Sequence, residues 1–259
     1  MKYTLSLIIS GIRNEKWIDL YNQMEKSCNR HEYEIIFCSP YDLPIELSSK
    51  ENIKYIRDFG TPSRCVQLSS TKAEGKYIAI LSDDAIIIEE AFSNVIDDIE
   101  NSDNPYKNIV ALRYTEGYGF NANINDFCPS YWKARFHGDL RIDGIQEDWK
   151  LCIMFLMNLE RFKELGGLDC RFEHYNMNLH DLAFRAQRDG SKIIISREFV
   201  SAQDFDPNSS SVLIHAYHEN DKPLFLSIYG ERETALNRPI KIDYDNWKLQ
   251  PEKWHRRFK

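Results

Sequence analysis

Residues 75–84, GKYIAILSDD, carry the pattern from which the fold class follows. Residues 77–81 are almost wholly apolar, which is typical of a strand buried on both faces of a sheet. Two carboxylates, Asp83 and Asp84, follow this strand directly. Ligands of open α/β sheets bind beyond the carboxyl ends of the strands. The stretch therefore predicts a central strand that delivers an acidic pair to a binding site.

Strand and helix patterns alternate on both sides of this stretch. Strands are predicted over residues 5–10, 33–38, 53–56, 151–157 and 192–196. Helices are predicted over residues 17–28, 61–75, 160–165 and 181–189. This order indicates an α/β fold with a mixed, mainly parallel sheet flanked by helices. Residues 113–150 read as a long loop rich in Gly, Asn, Asp and aromatics, and its His137 is a candidate binding residue.

The composition excludes several classes of protein. The 259 residues include 33 Lys+Arg and 40 Asp+Glu, a net charge of −7, which argues against a nucleic-acid partner. No apolar run approaches the ~20 residues of a membrane-spanning helix. The six cysteines are scattered without a C-x-x-C pair, which predicts reduced thiols in a cytoplasmic protein and disfavours a structural zinc site.

The acidic pair has two interpretations. Adjacent carboxylates repel each other at a buried strand end, and a divalent cation with a bound phosphate offsets that cost because Mg²⁺ and Mn²⁺ favour carboxylates plus substrate oxygens. The alternative is a solvated turn or a helix cap, in which Asp is common.

Four stretches, in this order, resemble the family-two glycosyltransferases, whose nucleotide-sugar-binding fold is called GT-A. They are LSLIISGIRNEKW (5–17), GTPSRC with AEGKYIAILSDD (60–65 and 73–84), RFKELGGLD (161–169) and HDLAFRAQRDG (180–190). The resemblance implies a GT-A fold over residues 5–200. It also implies a set of donor-binding residues: Ser10, Gly11, Arg13, Asn14, Arg64 and Asp83.

The metal site follows from the same resemblance. Asp84 would ligate the Mn²⁺ or Mg²⁺ ion that bridges the donor's diphosphate, and His215 would be a second ligand. From the residues alone, Arg64 is as consistent with a salt bridge, and Arg13 and Asn14 with turn formation.

The catalytic base implied by the resemblance is Asp181, which the predicted helix places at its N-terminus. A simple helix cap is the alternative. The family usually has Glu-Asp-x-Asp-Leu where this chain has Asn178-Leu179-His180-Asp181-Leu182. Asp181 therefore also matches the second, structural acid of the motif, and Glu173 or Asp169 would then be the base.

The expected function is an inverting, metal-dependent transfer from a nucleotide sugar, with UDP as the expected nucleotide, to a glycan or lipid-linked acceptor in the cytoplasm or at the inner face of the membrane. A catalytically silent GT-A module that binds a nucleotide, a sugar or a protein is the alternative. A glycoside hydrolase fits poorly because its carboxylates must face each other across the sugar. The family often ends its second strand with Asp residues that bind the nucleobase, whereas this chain has Cys38-Ser39-Pro40 there. The identity of the nucleobase is therefore left open.

The expected domain organisation is one GT-A domain over residues 1–230, with a donor-binding half (1–112) and an acceptor half (113–230). Residues 231–259 would form a C-terminal extension. Its end is basic and carries Trp247 and Trp254. Such a tail is typical of either a peripheral membrane contact or a docked terminus.

Overall fold

A computed structural model describes residues 2–117, 127–128, 131–133, 150–152, 154–204 and 215–258. The strands are β1 (Tyr3–Ser10), β2 (Tyr33–Ser39), β3 (Ile53–Arg57), β4 (Gly75–Leu81), β5 (Ala85–Ile87), β6 (Ile109–Gly117), β7 (Phe127–Cys128), β8 (Tyr131–Lys133), β9 (Lys150–Cys152), β10 (Phe155–Asn158) and β11 (Ile193–Asp204). The helices are α1 (Trp17–Ser27), α2 (Pro62–Ser70), α3 (Ala91–Glu100), α4 (Leu159–Glu164), α5 (Tyr175–Arg188), α6 (Lys222–Tyr229) and α7 (Arg232–Asn237).

One mixed sheet organises the described part of the chain. Its strand order is β3-β2-β1-β4-β10-β6-β11-β5, with β7 paired to β6. β1 is parallel to β2 and β4, whereas β10 is antiparallel to both β4 and β6. β1, β2, β4 and β6 therefore run in one direction, and their carboxyl ends share one edge of the sheet. The predicted fold class, a mixed sheet flanked by helices, is confirmed.

The alternation of side chains along β4 divides the core into two layers. Tyr77, Ala79 and Leu81 belong to one apolar cluster, which includes buried residues of α1 and α3. Ile78 and Ile80 belong to the other, which includes residues of α2, α4 and α5. Because successive side chains of a strand point to opposite faces, an apolar strand needs helices on both sides.

Several elements differ from their predicted bounds. The strand predicted over 151–157 is divided between β9 and β10, and β11 extends to Asp204 rather than residue 196. β6 continues to Gly117 and so covers the first residues of the predicted loop, and His137 lies outside the described residues. α3 was not predicted.

The helix predicted to begin at Asp181 begins six residues earlier, at Tyr175. Its N-cap is His174, whose Nδ1 accepts the backbone N–H of Asn176 at 3.2 Å. Burial lowers the pKa of His174 to about 4, so the ring is neutral at pH 7 and free to accept. His is not a preferred cap residue, which is why the sequence pattern placed the start at the next acidic residue.

The C-terminal segment packs back onto the core. The side-chain amide of Gln67 donates a hydrogen bond of 2.8 Å to the carbonyl oxygen of Tyr244. Trp254 donates its backbone N–H to the carbonyl of Phe59 at 2.9 Å, and its side chain is buried. These contacts fit the docked terminus, and the membrane contact stays a prediction. No helix within the described ranges has the length and apolar character needed to cross a membrane.

The turn after α4 depends on glycine. Gly167 has a φ of +65°, a left-handed conformation that side-chain-bearing residues rarely adopt. A Cβ there would lie 2.2 Å from Oε1 of Gln67. That Gln67 oxygen accepts the backbone N–H of Leu168 at 2.8 Å, so any shift of the side chain breaks a buried hydrogen bond.

We expect Gly167→Ala to lower the free energy of unfolding by about 2 to 4 kcal/mol, because backbone strain adds to the loss of the Gln67 hydrogen bonds. Equilibrium urea unfolding measures this. Gly190→Ala is the matched control, since Gly190 also has a positive φ of +85° but its new Cβ would meet nothing nearer than the Lys107 ammonium at 3.9 Å. A control loss as large as that of Gly167→Ala would contradict the steric argument.

Candidate active site

The loop after β1 wraps around Asp83. Oδ2 of Asp83 accepts the backbone N–H groups of Ile12 and Arg13, each at 2.7 Å. The carboxylate is only 3% exposed, so these two donors replace its water. A Cβ on Gly11 would lie 2.7 Å from the same oxygen, and glycine is therefore what allows the backbone to approach this closely.

Arg13 joins the two carboxylates of the acidic pair. Its Nη1 contacts Oδ1 of Asp83, and its Nη2 lies 3.1 Å from Oδ2 of Asp84. Oδ1 of Asp84 accepts the hydroxyl of Ser82. Burial alone would lower the pKa of Arg13, but the charges of Asp83 and Asp84 outweigh it and raise that pKa. The sequence predicted Arg13 near the donor but not as the cation that neutralises the acidic pair.

The first turn of α5 borders the acidic pair. Burial raises the pKa of the Tyr175 hydroxyl, and the charges of Asp84 and Asp83 raise it further. The backbone of this turn is held from the C-terminal segment, since Asp221 accepts the N–H groups of Glu173 and His174 at 2.8 Å each. Sequence reasoning missed Tyr175 and Asp221, because no local motif marks either residue.

Two further predicted donor-binding residues lie in or beside the β1 loop. Ser10 ends β1, and its buried Oγ has no hydrogen-bond partner among the described residues. Asn14 donates its side-chain amide to the carbonyl of Asp42 at 3.0 Å and so ties the β1 loop to the loop after β2. Both residues stand at the edge where the parallel strands end.

Arg64, the sixth predicted donor-binding residue, is engaged elsewhere. Its side chain is buried and forms a two-pronged ion pair with Asp58, with Nη2 to Oδ2 at 2.9 Å. Its Nη1 donates to the carbonyl oxygens of Trp247 and Gln250 at 2.6 and 3.1 Å. In this arrangement Arg64 anchors the C-terminal segment, which favours the salt-bridge alternative over a donor contact.

Asp181 lies within α5, fully buried in a charged network. Its oxygens accept Nε of Arg185 at 2.7 Å, Nε of Arg238 at 2.8 Å and the hydroxyl of Tyr229 at 2.5 Å. Burial alone would raise the pKa of Asp181, but Arg185 and Arg238 hold it well below its usual range. A carboxylate this deeply buried and paired is a poor proton acceptor. The geometry therefore favours the alternative in which Asp181 is the structural acid of the motif.

The two other candidate bases differ in their exposure. Asp169 is buried and ion-paired to Arg171 and Arg238, the latter at 2.7 Å. Glu173 is 21% exposed and pairs with Nε of Arg256 at 2.7 Å. Glu173 also lies two residues before Tyr175, which borders the acidic pair. Of the three carboxylates, Glu173 is the most accessible and the nearest in sequence to that border.

The acidic pair suits a cation. Within the described ranges, no three His, Cys, Asp or Glu side chains come together as a metal site. His215, the second predicted ligand, is exposed and pairs with Glu219, with Nδ1 3.1 Å from Oε1. Arg13 nevertheless shows that the space between the two carboxylates accepts positive charge. One or two carboxylates suffice for Mg²⁺ or Mn²⁺ when substrate phosphates complete the coordination.

Comparisons with known proteins identify the fold. No family model and no curated protein matches the chain in sequence. S. aureus TarS 1–349 in complex with UDP matches with a TM-score of 0.57 and 13% identity over 82% of this chain and 64% of that one. GalNAc-T7 with UDP, GalNAc and Mn²⁺ matches with a TM-score of 0.56 and 12% identity over 95% of this chain and 54% of that one. Both are GT-A glycosyltransferases, and the predicted GT-A fold is confirmed.

We expect Asp181→Asn to lower the free energy of unfolding by about 3 to 5 kcal/mol, because it leaves Arg185 and Arg238 buried without their shared countercharge. Equilibrium unfolding at pH 7 measures this. Asp103→Asn is the control, since that carboxylate is exposed; it pairs with Lys192 and accepts the side-chain amide of Asn108. Near wild-type stability with complete loss of turnover would instead restore Asp181 as the base.

The same network predicts that the free energy of unfolding falls at acid pH, which gives its pH profile an acid limb. The pKa of Asp181 is lower in the folded chain than its unfolded value of about 4. The contribution of the Asp181 carboxylate to the free energy of unfolding is therefore complete above about pH 4. It is lost as the pH falls through the lower pKa of the folded chain. Asp181→Asn should flatten this limb, and an unchanged limb would contradict the assignment.

Proposed function

We propose that this protein is a glycosyltransferase that moves a sugar from a nucleotide-sugar donor, UDP-sugar in the first instance, to a hydroxyl of a glycan or lipid-linked acceptor. The observation that carries the proposal is the Asp83–Asp84 pair at the carboxyl end of β4, enclosed by the β1 loop. This is the edge at which open α/β sheets bind ligands. The two GT-A structures with the same fold were solved with UDP, and one of them also with Mn²⁺.

Donor binding is assigned to the β1 loop and the acidic pair. Asp83 holds the loop through two backbone N–H groups, and this fixes the approach of Ser10, Arg13 and Asn14 to the nucleotide. The buried Ser10 hydroxyl is available as a hydrogen-bond partner for the donor. Asp84 is the carboxylate assigned to the metal, because Oδ2 of Asp83 already accepts two donors. When bound, the cation would neutralise the charge that grows on the departing diphosphate.

Glu173 is the proposed general base of an inverting transfer. Its side chain is partly open to solvent, whereas Asp169 and Asp181 are buried among arginines. The backbone N–H bonds to Asp221 fix its position at the start of α5, next to Tyr175. In this role Glu173 takes the proton of the acceptor hydroxyl as that oxygen attacks the anomeric carbon. Because Arg256 pairs with Glu173, its side chain must either move away to free the carboxylate or stay and orient the carboxylate toward the acceptor hydroxyl.

A catalytically silent GT-A module is the second candidate. It is favoured by one observation: all three candidate bases, Asp169, Glu173 and Asp181, are ion-paired to arginine. Such a module would bind UDP yet release none from any UDP-sugar. Binding and turnover measured on the same preparation separate the two functions.

We expect UDP together with Mn²⁺ to raise the midpoint of thermal unfolding by roughly 5 to 10 °C at about 100 times the dissociation constant. Asp84→Asn should remove the part of this shift that depends on Mn²⁺. Asp103→Asn should retain it, because Asp103 precedes β6 at the opposite edge of the sheet. Other nucleoside diphosphates in the same panel test which nucleobase the site prefers. If none of them raises the midpoint of thermal unfolding, donor binding is contradicted.

We expect Glu173→Gln to slow the release of UDP from UDP-sugars by about 10²-fold or more, the usual contribution of a positioned base, while UDP binding is unchanged. Glu219→Gln is the matched control, since Glu219 contacts the same Arg256 but is exposed. The assay is UDP release in the presence of sugar acceptors. Turnover of Glu173→Gln at the wild-type rate would contradict this assignment.

A further inference from the structure

Arg13 holds the two members of the acidic pair in different ways. Asp83 keeps two backbone N–H donors regardless of where the Arg13 side chain lies. Asp84 has only the Ser82 hydroxyl and the Arg13 guanidinium as described partners. The contact between Arg13 Nη2 and Asp84 Oδ2 is 3.1 Å long. Asp84 is therefore the partner that Arg13 can release with the smaller change in structure.

The charge balance decides what can replace this contact. Two carboxylates and one guanidinium leave a net charge of −1, against −2 without Arg13. A divalent cation arriving alone meets a site that is already half neutralised, and it must displace a partly buried ion pair. A cation arriving with a nucleoside diphosphate brings the phosphate oxygens, which arginine binds as a two-pronged donor. The guanidinium then exchanges one anionic partner for another.

We propose that Arg13 is an internal cation that occupies the metal position on Asp84 until a nucleoside diphosphate arrives. The guanidinium then transfers from Asp84 to the diphosphate and frees Asp84 for the divalent ion. Metal and nucleotide consequently bind as a pair, and metal alone binds weakly. This inference rests on the proposed function, and it adds a coupling between two ligands that neither the fold nor the acidic motif requires.

The test compares Mn²⁺ binding by the wild-type protein and Arg13→Gln, measured by electron paramagnetic resonance of free Mn²⁺ with and without UDP. We expect Arg13→Gln to bind Mn²⁺ alone at least about tenfold more tightly than the wild type, a typical size for coupling between sites. In the wild type, UDP should raise Mn²⁺ affinity by a similar factor, and in Arg13→Gln this increase should be much smaller.

Two further variants keep the test decisive. Arg57→Gln removes an exposed charge at the end of β3 and should leave Mn²⁺ binding unchanged, which controls for net charge. Arg13→Lys keeps a positive charge but lacks the planar fork that spans both carboxylates, so its Mn²⁺ affinity should lie between those of the wild type and Arg13→Gln. If Arg13→Gln fails to fold, Arg13→Lys against the wild type decides the question.

The contrary outcomes are distinct. Wild-type binding of UDP together with equal Mn²⁺ affinities in all variants would overturn this inference alone. UDP binding that is insensitive to Mn²⁺ and to chelator would also overturn it, because Arg13 would then be a permanent substitute for the metal. No UDP binding by any variant under any condition would overturn the proposed function and this inference with it.

Discussion

Two adjacent carboxylates at the end of a buried strand are the constraint on which the candidate site depends. Asp83 and Asp84 lose water as β4 is enclosed by helices, and like charges at such short range are costly in a protein interior. The loop after β1 stabilises the two carboxylates, because it supplies two backbone N–H groups and the Arg13 guanidinium. Because β1 and β4 are neighbours and parallel, their ends meet at one edge and this compensation is possible.

A second buried charge network holds the other side of the molecule together. Asp181 in α5 accepts hydrogen bonds from Tyr229 at the end of α6 and from Arg238 just after α7. The C-terminal helices are thereby fixed against α5, whose first turn borders the acidic pair. The same segment contributes Asp221, which holds the backbone before α5. Residues more than 40 positions apart in sequence thus determine where Glu173 and Tyr175 lie.

The acidic motif and the fold were accessible from sequence, whereas the role of Asp181 was not. The apolar run of β4 and the helix predicted over residues 17–28 are local patterns, and both appear in the structure. Asp181 sits in a family-like motif, but whether it faces solvent or a buried arginine depends on Arg238, which no local pattern connects to it. Arg64 is a similar case, since the Trp247 carbonyl to which it donates lies 183 positions away in the sequence.

The α/β fold class and the position of Asp83 and Asp84 beyond a buried strand can be inferred from sequence, because hydrophobic periodicity and turn chemistry act over a few residues. Tertiary contacts set which cation neutralises the acidic pair, which carboxylates are buried in ion pairs and which one stays partly exposed. Those outcomes depend on burial and on charges brought together from distant segments. Such long-range electrostatics leave no periodic trace in the sequence.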